Sequence, residues 1–202
     1  TWMFGRDLVN WNNNFTWAKW VTPSRDLIST FKQEGDEVRF KESVVYYDCG
    51  WSNYYPSDNY PFMYKCRSAN SSIIKYRYAD VLLLKAEALI MQDTPDLEGA
   101  ADIIDEVRDR AKLGALSSST RSNKDALLNA LLKERRLELA FEGQRWFDLV
   151  RLDKVEEVMN AVHAKDSGRK AQVYTYDKNS YRLPIPQSVI DANDKIHQNP
   201  GY

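Results

Sequence analysis

The stretch ERRLELAFEGQRWFDLVRL, residues 134–152, constrains the fold more than any other part of the chain. Charges of both signs are threaded through a continuous apolar pattern that ends near a Trp-Phe pair. Projected as one helix at roughly 100° per residue, Leu128, Leu131, Leu132, Leu139 and Trp146 share a side, with Arg135 and Glu142 in its middle. Leu137 and Phe141 add apolar surface elsewhere, so little of such a helix can face water. Buried charges persist only when paired and hydrogen-bonded. The spacing offers local partners: Arg135 with Glu138, Glu142 with Arg145, and Asp148 with Arg151, each three residues apart.

Glu134, Glu138 and Glu142 also fall on an i, i+4, i+8 line, the arrangement a paired-carboxylate glycosidase would need. A general acid, however, requires a carboxyl whose pKa is raised by an apolar or like-charged setting. Guanidinium neighbours do the opposite and keep carboxylates ionised. The stretch reads as scaffold, and the protein as a non-enzyme.

Helical periodicity begins near residue 74. In RYADVLLLKAEALIMQ, Tyr78, Ala79, Leu82, Leu83, Ala86 and Ile90 recur at helical spacing. Val81, Leu84 and Ala88 widen the apolar face and predict burial on more than one side. TPDLEGAADIIDEVRDRAKLG follows, with Thr94 as expected N-cap, Pro95 at the first helical position and Gly114 as the stop. Leu97, Ala100, Ala101, Ile104, Val107 and Ala111 form its stripe. Two such helices joined by a few residues make an antiparallel hairpin of tetratricopeptide size, with alanines permitting close approach. Ser122 with Asp125 predicts the start of the third helix. Beyond a short charged helix, YTYDKNSYRLPIPQSV is extended, and its two prolines forbid central-strand pairing.

The first part of the chain is built differently. Five of the six Trp lie within the first 51 residues, among Asn, Ser, Pro and Gly. That composition signals turns and irregular loops. PSRDLISTF predicts a short helix capped by Ser24, and EVRFKESVVYY a strand. The expected fold is mainly α: a tetratricopeptide-like helical hairpin scaffold with a loop-rich, irregular, ligand-facing region. Residues 1–73 form the aromatic loop segment and 74–202 the helical region with its extended tail. The opening TWMFGRDLVNW reads as mid-protein, so both belong to one domain shared with a missing N-terminal half.

Several function classes are excluded. A net charge of −1 leaves no electrostatic footprint for nucleic acid. The longest apolar stretch, VLLLKAEALIM, carries Lys85 and Glu87 and is too short to cross a bilayer. His163 and His197 sit in unrelated contexts without a nucleophile to serve. No glycine-rich phosphate loop, metal spacing or cofactor motif occurs, and DTPDLEG lacks the alternation of an EF-hand. Cys49 and Cys66 are either a disulfide across a loop or two free thiols.

RYADVLLLKAEAL, ERRLELAFEGQRWFDLVRL, LPIPQSVID and QNPGY occur in the order and approximate spacing of the C-terminal part of the SusD/RagB family, which the chain resembles over roughly residues 75–202. Gln144 stands where many members have His. The resemblance implies an outward-facing, lipid-anchored outer-membrane protein of Bacteroidetes nutrient uptake. It further implies oligosaccharide capture for a SusC-like TonB-dependent transporter, without enzymatic activity; peptide capture and a purely protein–protein role are the alternatives. The matched motifs belong to the family's scaffold and fix no ligand residues.

Those residues are nominated from chemistry. A pyranose packs its apolar C–H face on an aromatic ring while amides bond its hydroxyls. Trp11, Trp17, Trp20, Trp51, Asn53, Tyr54 and Tyr55 supply that mixture. Alternatively, the rings pack the loops onto the helices.

Overall fold

The computed structural model of the protein describes residues 21–50, 54–65, 74–165 and 175–202. It is mainly helical and forms two compact units, Thr1–Arg145 and Trp146–Tyr202.

In the first unit, α1 (Arg25–Glu34) starts at Ser24, whose hydroxyl accepts from the Leu27 amide at 3.1 Å, as expected. It stops at Gly35, where φ of 68° turns the chain and lets Asp36 N–H reach the Phe31 carbonyl at 3.0 Å. Asp36 then caps a second short helix, α2 (Glu37–Ser43), by accepting from the Arg39 amide. The strand expected over EVRFKESVVYY is therefore confined to its last four residues. The turn at Gly35 and the Asp36 cap claim the rest for a helix. This strand, β1 (Val44–Tyr47), pairs antiparallel with β2 (Tyr60–Met63), Val44 opposite Met63 and Tyr47 opposite Tyr60.

The main core is helical. α3 (Tyr78–Met91) and α4 (Leu97–Arg110) form the expected hairpin, and α6 (Lys124–Glu138) lies against both. Leu83, Ala86 and Ile90 of α3 meet Ala100, Ala101, Ile104 and Val107 of α4 and Leu127 and Leu131 of α6. The alanines shorten the distance between helix axes, so the larger residues interdigitate. Only one side of α3 is covered: Tyr78, Val81 and Met91 are more than half exposed, contrary to burial on several sides.

Helix ends differ from expectation where a better cap lies one or two residues away. Asp96, not Thr94, caps α4 by accepting from the Gly99 amide at 2.9 Å, leaving Pro95 outside the helix. The Asp96 carboxylate sits directly over Gly99, so a side chain there would require it to shift. Lys112, with φ of 61°, takes the left-handed position that was expected of Gly114. Ser122 closes the single turn α5 (Ser118–Arg121), and Asn123 caps α6 through Ala126 N–H at 2.9 Å. α6 stops at Glu138, so residues 134–152 are not one helix. Phe141 and Gly143 adopt positive φ, 66° and 81°, and a new helix, α7 (Arg145–Arg151), begins beyond them.

In the second unit the buried side chains include Asp148, Leu149 and Val155, and α8 (Val155–Lys165) follows a turn at Asp153. Asn160 bonds both backbone groups of Tyr176, each at 2.9 Å. The proline-interrupted tail bears a 3-10 turn (Lys178–Tyr181) and a short α9 (Gln187–Asp191). Its backbone is satisfied by side chains instead of strand pairing. Gln198 exchanges two bonds with Ile185, at 2.8 and 2.9 Å, and Asn199 donates to the Leu183 carbonyl at 2.6 Å. LPIP and QNPGY thus hold each other.

Ile104 is fully enclosed in the hairpin core. Ile104→Ala is expected to cost about 2–5 kcal/mol in chemical denaturation, through lost burial plus the cavity left behind.

Candidate functional site

Four charges of the stretch that dominates the sequence, Glu134, Arg135, Glu138 and Asp148, are buried as expected, whereas Phe147 and Arg151 are exposed. The partners of the α6 charges come from distant elements. Glu134, Arg135 and Glu138 on α6 are between 1% and 3% exposed. Arg39 of α2 lies 2.5 Å from Glu134, 3.1 Å from Glu138 and 2.5 Å from Asp36. Arg77, just ahead of α3, lies 2.5 Å from Glu138 and 2.8 Å from Glu142, and also donates to the Glu138 carbonyl. Arg110 at the end of α4 completes the shell around Glu138. Lys65 reaches Glu142 at 2.5 Å, and Arg108 reaches Glu134 at 3.3 Å. Arg135 pairs with Asp80 of α3 at 2.9 Å.

The expected pairs Arg135–Glu138 and Glu142–Arg145 do not form. The helix ends at Glu138, which places Glu142 in the turn facing Arg77 and Lys65. Arg145 donates to the Leu132 carbonyl at 3.0 Å. In the second unit, Asp148–Arg151 forms with the expected spacing, at 2.9 Å. Arg39, Arg77 and Asp80 were missed. Their one visible signal is a charge set between apolar neighbours, in VRF, YRY and ADV.

These contacts decide what the carboxylates can do. Burial opposes ionisation of Glu138, but the guanidinium groups of Arg77, Arg110 and Arg39 together outweigh it and hold its pKa below the usual carboxylate value. For Glu134 burial prevails and raises the pKa despite Arg39 and Arg108. Arg39 is held more firmly protonated than a free arginine: burial opposes its charge, and Glu134, Asp36 and Glu138 more than compensate. Glu142 is 3% exposed at its side chain and gripped from two sides. None of these carboxylates lines the groove between α1 and Tyr55, and the cluster joins elements instead of presenting a nucleophile.

Of the nominated ligand residues, Tyr54 and Tyr55 are described; Trp11, Trp17, Trp20, Trp51 and Asn53 lie outside the described residues. The structure brings Tyr54 and Tyr55 together edge to face, centroids 4.9 Å apart at 80°, and Tyr55 meets Tyr60 the same way at 5.5 Å. The Arg25 guanidinium sits 4.0 Å from the Tyr54 centroid and 4.9 Å from that of Tyr55, and donates to the Tyr54 carbonyl. The Tyr55 hydroxyl donates to Pro23 at 3.0 Å. Both tyrosines are half-buried and also pack on the β1–β2 core with Phe62 and Cys49, so they serve the loop's packing as well. Tyr55 forms one wall of an open groove of about 420 Å³ whose other wall is α1: Arg25, Ile28, Ser29, Lys32 and Gln33. The α1 residues were not anticipated as site residues. Their polar spacing on a short helix looks like an ordinary solvated face in sequence.

Cys49 is buried and free among the described residues, and Cys66 lies outside them. No group of three or more His, Cys, Asp or Glu among the described residues could hold a metal ion. Among them, too, no helix is long and apolar enough to cross a membrane.

The profile of the SusD family matches residues 57–202, well over half of the sequence. The chain belongs to the SusD family. SusD-like protein P38 of Formosa agariphila is 41% identical over 139 residues, covering 66% of this chain and 25% of that protein. The chain therefore spans about a quarter of the length of this curated SusD-like relative. Among solved structures, a SusD superfamily protein from Bacteroides vulgatus shares the fold with a TM-score of 0.69 at 22% identity, over 90% of this chain and 44% of that one. A laminarin binding SusD-like protein superposes with a TM-score of 0.55 at 26% identity, over 90% and 40% of the two chains. The SusD motifs quoted from the sequence map onto α3, the buried cluster and the cross-bonded tail. Gln144 donates to the Lys75 carbonyl at 3.3 Å.

Arg135→Ala strands Asp80 without its guanidinium and is expected to lower stability by about 3–5 kcal/mol in denaturant titration; an unchanged unfolding midpoint would contradict the pairing. The pH dependence has a defined sign. The folded-state pKa of Glu138 lies below its unfolded value of 4.5, so its stabilisation is complete above that pH and is lost as pH falls through the folded value. Melting curves of wild type and Glu138→Gln are expected to differ most at neutral pH and to converge below pH 4.5.

Proposed function

We propose that the protein is a non-enzymatic capture protein for oligosaccharides, displayed on the outer membrane by a lipid anchor. It delivers its ligand to a SusC-like TonB-dependent transporter. The observation that carries this reading is membership of the SusD family, and the naming of one structural neighbour as laminarin binding supports it. The buried carboxylates fit a scaffold role, since each is neutralised by arginine or lysine. The rest of the protein completes the scaffold.

Recognition falls to the aromatic loop segment. Tyr55 offers a ring fixed by its hydroxyl bond to Pro23 and by two edge-to-face neighbours, so ordering it on binding costs little entropy. A pyranose face packs on such a ring, while Gln33 and Ser29 across the groove supply groups for its hydroxyls. Trp51 and Asn53, directly ahead of Tyr54 in sequence, extend the same chemistry, and Trp11, Trp17 and Trp20 are further ligand candidates.

Calorimetric titration of the full-length protein with laminarin and other oligosaccharides tests the reading. Saturable binding is expected, with Tyr55→Ala weakening it about tenfold, or ~1.4 kcal/mol, and Tyr55→Phe, which keeps the ring, retaining most of it. Heat from peptides but from none of the glycans would refute sugar capture.

A further inference from the structure

The groove between α1 and the Tyr54–Tyr55 turn differs from a plain aromatic platform in its charge. Among the described residues that line it, Arg25 and Lys32 are cations and none is an acid. The acids of α1 are occupied elsewhere: Asp26 pairs with Arg136 at 2.7 Å, and Glu34 with Lys133 at 2.5 Å and Arg108 at 3.2 Å. Lys32 forms no ion pair among the described residues. Arg25 is fixed against the tyrosine rings and by its bond to the Tyr54 carbonyl, so it is preorganised. The two cations are seven residues apart on α1, about 10 Å along its axis. The volume, about 420 Å³, lies within the range of small-ligand sites.

We propose that this groove is a subsite for acidic sugars, taking the carboxylate or sulfate groups of an anionic oligosaccharide on Arg25 and Lys32 while a ring packs beside Tyr55. A charged donor meeting an anionic oxygen makes a stronger hydrogen bond than a neutral pair does. The two-turn separation of the cations favours a ligand charged on more than one ring. Gln33 and Ser29, themselves bonded at 3.0 Å, lie beside Lys32 for the uncharged hydroxyls. The proposal rests on the capture reading above and narrows it to a ligand class.

The test is calorimetry on the full-length protein with three probes: oligogalacturonate, a sulfated carrageenan oligosaccharide, and a neutral laminarin oligosaccharide of matched length. One or both charged probes are expected to bind more tightly than the neutral one, with affinity falling as salt rises. Lys32→Gln is expected to weaken the charged probe about tenfold. Lys41→Gln, which removes the same charge from the exposed face of α2 outside the groove, is expected to leave affinity within about twofold, as screened exposed charges do. Carboxylate against sulfate preference identifies which anion the site takes. Equal losses in the two variants, or tightest binding to the neutral probe, would overturn the subsite and leave sugar capture standing. Binding to no probe and no other glycan would remove both.

Discussion

Glu138 is the point on which the first unit turns. A carboxylate removed from water is costly, and its attraction to one partner rarely repays the desolvation. Here three guanidinium groups converge on one carboxylate, from α2, from the residue ahead of α3, and from the end of α4. Each arrives by a different route through the chain, so the charge is satisfied only when all those elements are in place. Arg39 extends the constraint to Glu134 and Asp36, and Arg77 extends it to Glu142. Apolar contacts between the same helices would hold them with less directional demand; an ion cluster fixes which helix meets which, and at what height.

The break after Glu138 follows from the same demand. A helix continued through Glu142 would carry that side chain a further turn along the α6 axis. The positive φ angles of Phe141 and Gly143 instead fold residues 139–144 back, so that Glu142 shares Arg77 with Glu138. A non-glycine residue at positive φ is strained. Phe141 is offset by the apolar cluster it joins with Leu27, Phe31, Leu137 and Ala140.

What was legible in the sequence divides along physical lines. Burial of Arg135, Glu138 and Glu142 was legible because apolar neighbours on every side leave no exposed face for them. The partners were not. Helical spacing suggests i,i+3 pairs, and nothing in a linear pattern shows that Arg39, some 95 to 99 residues away, arrives first. The α3–α4 hairpin was legible from its stripes, since both helices bury one face against one another. Its caps were misplaced because Asp96 and Lys112 compete with Thr94 and Gly114 at neighbouring positions, and propensity alone does not rank them. α2 was read as a strand because alternation over EVRF satisfies a period of two as well as one turn of helix. The Tyr54–Tyr55 pair was visible as an aromatic-polar loop. Its partner wall on α1 was not, since a groove is a property of two segments and each alone looks like solvated surface.

The scaffold and the groove are joined through α1. Its inward positions, Leu27 and Phe31, pack on Leu137 and Ala140 at the end of α6, beside the carboxylate cluster. Its acids are clamped by Arg136, Lys133 and Arg108, which flank that cluster on α6 and α4. Both interactions fix the rotation of α1 about its own axis. That rotation decides which residues remain to face the Tyr54–Tyr55 turn. With Leu27 and Phe31 turned inward and Asp26 and Glu34 held by cations, Arg25, Ser29 and Lys32 are left for the groove wall. That α1 offers the groove cations and no acid is thus a consequence of how the ion network consumes the negative charge of the same helix. A ten-residue helix too short to be stable alone is made into a defined groove wall by ions it does not itself bury.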